Sequence, residues 1–114
     1  MENLKNNDSL YETISLIVDQ LNPEFGRCKT DTKKVINLLV VKHKICKSGN
    51  VFELPGWTLI RHCNHGLVRM NPHYVASLDN DNWIVDVSQI PGERVFKGLG
   101  MYYSMLQRTT CGFK

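Results

Sequence analysis

The chain has 114 residues, enough for one domain with a hydrophobic core and too few for a second. Apolar residues make up 42% and charged residues 22%, ordinary proportions for a globular protein. The net charge of +3, from 14 Lys and Arg against 11 Asp and Glu, is too mild to argue for nucleic acid, and no apolar run approaches the ~20 residues that cross a bilayer.

The opening "MENLKNNDSL" is polar and lacks the apolar core of a signal peptide. The expectation is a cytoplasmic protein with no membrane partner. Cys28, Cys46, Cys63 and Cys111 form no C-x-x-C pair, and in a reducing compartment all four are expected to be free thiols.

Leu10, Ile14, Ile17, Val18 and Leu21 recur at helical spacing. Ser9 and Glu12 match a capping box, so the pattern predicts a helix over 9–21 that Asn22-Pro23 ends. Gly26 suggests a turn, and Thr30 or Asp31 can cap the next helix. That helix carries Val35, Ile36, Leu38, Leu39, Val40 and Val41, apolar nearly all the way round, so it is expected to be central and buried and to end near Lys44. Lys47-Ser48-Gly49-Asn50 reads as a turn.

After residue 50 the period changes to that of strands. "VFEL" is a short strand, Pro55-Gly56 a turn, and "WTLIRHC" and "LVRM" are two more strands. A hairpin then runs through "HYVASLDNDNWIVDVSQIPG", closed by Ile90-Pro91-Gly92. "MYYSMLQ" fits a terminal helix or a strand equally well. Helices followed by an antiparallel meander give an α+β fold in a single domain: two N-terminal helices, the second central, on a sheet of about four or five strands.

A hairpin loop of two residues, Asn80-Asp81, or of four, Asp79 to Asn82, gives one register. Leu78 opposes Trp83, and Val75 opposes Asp86. Tyr74, Ala76, Leu78, Trp83, Val85 and Val87 then share an apolar face. His73, Val75, Ser77, Ile84, Asp86 and Ser88 share the more polar one, with His73 and Asp86 as diagonal neighbours within side-chain reach. A carboxylate beside an imidazole fixes its tautomer and stabilises its charged form. Asp86 could equally satisfy backbone donors at a strand end.

Such a pair needs a nucleophile, and Cys28 is the best candidate. It lies at the start of the central helix, where the dipole and the flanking Arg27 and Lys29 favour a thiolate. Asp31, an acid nearby, would oppose one. Cys46 follows a helix end, where the dipole disfavours a thiolate; Cys63 lies in a strand near His62 and His65; Cys111 is in the tail. For any single cysteine a small buried hydrophobe is the commoner role.

A cysteine at a helix start, then an antiparallel sheet, then His and Asp on adjacent strands resembles the papain-like cysteine peptidase superfamily. The likeness is to its Cys–His–Asp branches, the transglutaminase-like and bacteriocin-processing-type peptidases. It spans residues 20–92, with its specific part in the hairpin, where "HYVASLDNDNWIVDVSQIPG" is similar to their His-strand, turn and Asp-strand. The resemblance implies a cysteine hydrolase or acyltransferase acting on a peptide or protein substrate, with no cofactor. Cys28 would attack, His73 would move the proton, and Asp86 would orient His73. Asn22 or Gln20, ahead of the cysteine, would help the Cys28 backbone N–H to hold the oxyanion.

Two other readings remain. "RHCNHG" places His62, Cys63 and His65 together, and Cys46 or His43 could complete a zinc site. The spacing matches no standard finger, and adjacent strand residues point to opposite faces. Alternatively, the domain is a catalytically inactive module that docks to a partner protein. Tyr102, Tyr103 and Phe113 would suit such a surface, and suit a core as well.

Overall fold

The computed structural model describes residues 2–24, 26–54, 58–63 and 66–111, and their side chains except those of residues 2–8, 59 and 108–111. The predicted turn at Pro55-Gly56, His65 and Phe113, and the side chain of Cys111, lie outside the described residues. The architecture is α+β, with three helices and a small antiparallel sheet.

Helix α1 spans Glu2–Asp19. It starts seven residues before the expected cap at Ser9, because Glu2, Leu4 and Lys5 are good helix formers and nothing in the stretch breaks the helix. Ser9 is interior, its carbonyl accepting from the Thr13 hydroxyl at 2.9 Å. The buried face carries Ile14 and Val18. The chain's buried Arg94 holds the end of this helix, donating from one guanidinium nitrogen to the carbonyls of Val18 and Leu21, each at 3.1 Å.

Helix α2 spans Cys28–Ile36 and runs on as a π-helical segment, Asn37–Lys42. Neither Thr30 nor Asp31 caps it. Arg27 is the capping residue and makes no side-chain cap. Asp31 instead accepts from the Glu24 N–H at 3.0 Å, which folds the preceding loop against the first turn. Val35 and Leu39 are fully buried, whereas Val41 is 63% exposed, so the helix is buried on its sheet-facing side only.

The main sheet has the order β1-β4-β5-β6, formed by Gly49–Leu54, His73–Leu78, Trp83–Val85 and Val95–Phe96. Strands β2 (Thr58–His62) and β3 (Gly66–Met70) form a separate hairpin inserted between β1 and β4, so the meander is interrupted. An isolated bridge from His62 to Gln89, and the Cys63 N–H donating to the Ser88 carbonyl at 2.9 Å, tie that hairpin to the main sheet. The predicted register holds, with Leu78 opposite Trp83 across a four-residue loop. Asp79, Asn80 and Asp81 all adopt positive φ, which Asp and Asn tolerate better than most residues. The Asp79 carboxylate accepts from the N–H groups of Lys47 and Ser48 at 2.7 and 3.2 Å, pinning the loop to the turn before β1. Gly49 sits where that turn enters β1, and an added Cβ would meet Ile36 at 2.9 Å and Leu78 at 3.0 Å.

The two faces of the sheet bury two cores. One holds Ala76, Leu78, Trp83, Val85 and Val87 against α1 and α2, the face expected to be apolar. The other, expected to be polar, is also covered. Helix α3, Leu99–Cys111, lies over it, and Val75 and Ile84 pack with Ile60, Phe96, Tyr102 and Met105. The ambiguous "MYYSMLQ" is therefore helix, and Tyr102 is fully buried. Among the described residues, no helix is long and apolar enough to cross a membrane.

Candidate active site

Cys28 and Thr32 stand one turn apart on α2, on the side that meets β4. The Cys28 thiol approaches the Pro72 carbonyl at 3.9 Å, and the Thr32 hydroxyl donates to the Tyr74 carbonyl at 3.2 Å. These two contacts bracket His73, the first residue of β4, and seat the sulfur beside its ring. His73 is wholly buried and Cys28 is 6% exposed.

Asp86 follows β5, one position past Val85, and its N–H donates to the Arg94 carbonyl at 2.8 Å. Its carboxylate is fully buried and gathers four donors. His73 Nε2 lies at 2.9 Å, the Tyr102 hydroxyl at 2.6 Å, the Gln89 amide at 3.4 Å and the Ser88 N–H at 3.2 Å. With Nε2 committed to Asp86, Nδ1 is the ring nitrogen left for the thiol, and it has no hydrogen-bond partner of its own. Asp86 thus orients a histidine and satisfies a strand-end donor at once.

The charges support one another. Burial alone would raise the Asp86 carboxyl, but His73, Tyr102 and Gln89 bring it below the usual value. Burial alone would lower His73, but Asp86 and then Cys28 push it up to about 10. Burial alone would raise the Cys28 thiol, yet His73 and the Tyr74 N–H outweigh burial and bring it down. Asp31 turns its carboxylate to the Glu24 N–H and to Lys34. Cys46 shows the opposite case, pushed up to about 11 by burial and by Asp79.

Cys28 opens on a groove of about 620 Å³ shared with Arg27, Lys29, Arg69, Asn71 and Tyr74. Gln20 and Asn22, both exposed, line a separate groove with Asp31, Lys34 and Val87. The structure therefore brings Cys28, His73 and Asp86 together and does not bring Gln20 or Asn22 into the groove beside Cys28. Asn71 is the amide side chain among the residues lining that groove. Tyr102 and Gln89, which complete the shell around Asp86, had no local signal in the sequence.

Among the described residues no three His, Cys, Asp or Glu side chains converge as metal ligands. Cys46 is buried in the first core, His43 is exposed beyond the π-helical segment, and His62 is buried at the end of β2. Comparison with known proteins yields no relative: no family model, no curated protein and no solved structure matches this chain.

Proposed function

We propose that the protein is a papain-like cysteine hydrolase or acyltransferase that acts on peptide or amide bonds. The observation that carries this reading is the buried chain of Cys28, His73 and Asp86, with His73 Nε2 2.9 Å from the carboxylate and Nδ1 left to the thiol. A thiolate beside an imidazolium is a competent nucleophile at neutral pH. Cys28 Sγ attacks the carbonyl carbon and the C=O electrons move to oxygen. As the tetrahedral intermediate collapses, the C–N bond breaks and His73 gives its proton to the leaving amine. Water, or a second amine, then attacks the thioester while His73 takes back a proton, which releases an acid or a new amide.

Asp86 is a positioning residue in this scheme. The oxyanion would take the Cys28 backbone N–H, unused within the helix at its first turn, and a side-chain amide. Asn71, which shares the groove, is better situated for this than Asn22 or Gln20. Free thiols at Cys28, Cys46 and Cys63 suit a cytoplasmic setting.

The test uses p-nitrophenyl acetate as a generic acyl donor. A burst of p-nitrophenolate, with an acetyl thioester on Cys28 by mass spectrometry, is expected. Cys28→Ala should lose the burst and keep the fold, and His73→Ala should slow it by about 10²- to 10⁴-fold. Acetylation spread over the other thiols, or a burst that survives Cys28→Ala, overturns the assignment.

A further inference from the structure

The groove beside Cys28 carries one sign of charge. Arg27 and Lys29 flank the cysteine on the first turn of α2, and β3 brings Arg69 to the same groove. Among the described residues no aspartate or glutamate lines it. The charged side chains among its lining residues are therefore all cationic. The N-terminus of α2 adds partial positive charge at the same end.

A nearby acid offsets this charge only in part. Glu24 lies 3.5 Å from Arg27, but the two side chains are 69% and 57% exposed, and water and salt screen such a pair. Glu53 interacts with the Tyr74 hydroxyl and does not line the groove. Lys29 Nζ lies 5.4 Å from the centroid of the Tyr74 ring, a cation–π contact that holds the ammonium at the groove wall.

We propose that this site selects acidic peptides, with Asp or Glu side chains beside the scissile carbonyl. The proposal rests on Cys28 being the nucleophile of the reaction above. A thiol attacks carbonyl carbon, so the anion recognised here belongs to an acyl substrate. Its carboxylates would lie along Arg27, Lys29 and Arg69 while the reacting carbonyl meets Cys28. Cations lining a groove raise the local concentration of an anionic chain and suppress a cationic one.

The test compares three peptide vinyl sulfones that differ only in carrying Glu, Gln or Lys beside the electrophile. The Cys28 thiolate adds across the vinyl group, and mass spectrometry gives the labelling rate at Cys28. Each rate is divided by the same protein's iodoacetamide rate at Cys28, which removes differences in intrinsic reactivity. At low salt the order Glu, Gln, Lys is expected, with Glu at least about tenfold above Lys. The gap should close in 1 M salt, where the screening length is about 3 Å, and in the Lys29→Gln/Arg69→Gln variant. Equal rates on a fast-reacting Cys28, or a Glu preference that survives both changes, overturn the selectivity and leave the nucleophile standing. An iodoacetamide rate no faster than that of a free thiol removes the nucleophile, and the selectivity falls with it.

Discussion

His73 Nε2 lies 2.9 Å from Asp86 Oδ2, and neither side chain has any exposure to solvent. Burial works against both charges, so each ion exists because the other does. Asp86→Asn keeps the shape and removes the charge. Burial then dominates at His73, its protonated form becomes rare near neutral pH, and Cys28 loses its counterion. The rate–pH profile for alkylation of Cys28 should move up by about one unit or more. The fold should lose about 3 kcal/mol, read from urea denaturation. An unchanged profile would mean that the carboxylate does not control the imidazole.

Tyr102→Phe isolates the contribution of α3. The ring stays in the second core while the 2.6 Å bond from its hydroxyl to Asp86 is lost. A hydrogen bond to a buried charge is worth about 1.5–3 kcal/mol, and that is the expected loss of stability. The Asp86 carboxyl is then less depressed, so the acid-unfolding midpoint should shift to higher pH. Circular dichroism across an acid titration checks both the size and the direction.

The stability of the fold should depend on pH through the same pair. His73 is raised from 6.5 to about 10, so the contribution of its charged form is complete below pH 6.5 and is lost as the pH rises toward 10. Asp86 is lowered from 3.8, so its contribution is complete above that value and is lost as the pH falls below it. Cys28, lowered from 9.0, contributes fully above pH 9 and progressively less as the pH falls through its folded value, which opposes the His73 trend. Urea midpoints are therefore best measured in Cys28→Ala. They should hold steady from pH 5 to 6.5 and fall above 6.5, with the fall complete below pH 10 because the share of the His73 shift that Cys28 supplies is gone. Adding His73→Gln should remove most of that fall.

The hairpin was legible because its chemistry is local. Asp and Asn at 79–82 fix the loop length, loop length fixes register, and alternation then puts His73 and Asp86 on one face. Cys28 was legible from the helix that follows it. What covers the His73–Asp86 face was not. Nothing in "MYYSMLQ" separates helix from strand, and even a correct helix would not say which face it packs against. Reading that face only as the more polar one therefore left Tyr102 unconnected to Asp86, although a buried Asp needs donors from somewhere. Strand β6 has two residues, too few to show a period. Asn22 and Gln20 were expected beside Cys28 from the family resemblance, but they line another groove, and the amide that shares the Cys28 groove, Asn71, comes from the turn before β4. Proximity across the fold cannot be read from a spacing along the chain.

The most direct measurement is the rate of Cys28 alkylation by iodoacetamide from pH 5 to 9, with each modified cysteine identified by mass spectrometry. If the pair with His73 is assembled, Cys28 reacts fast below pH 7 while Cys46, pushed up to about 11, stays inert. His73→Ala then returns Cys28 to an ordinary thiol profile. A Cys28 that titrates near the ordinary value of about 8.5, or a fast Cys28 indifferent to His73, would contradict a catalytic triad at this site.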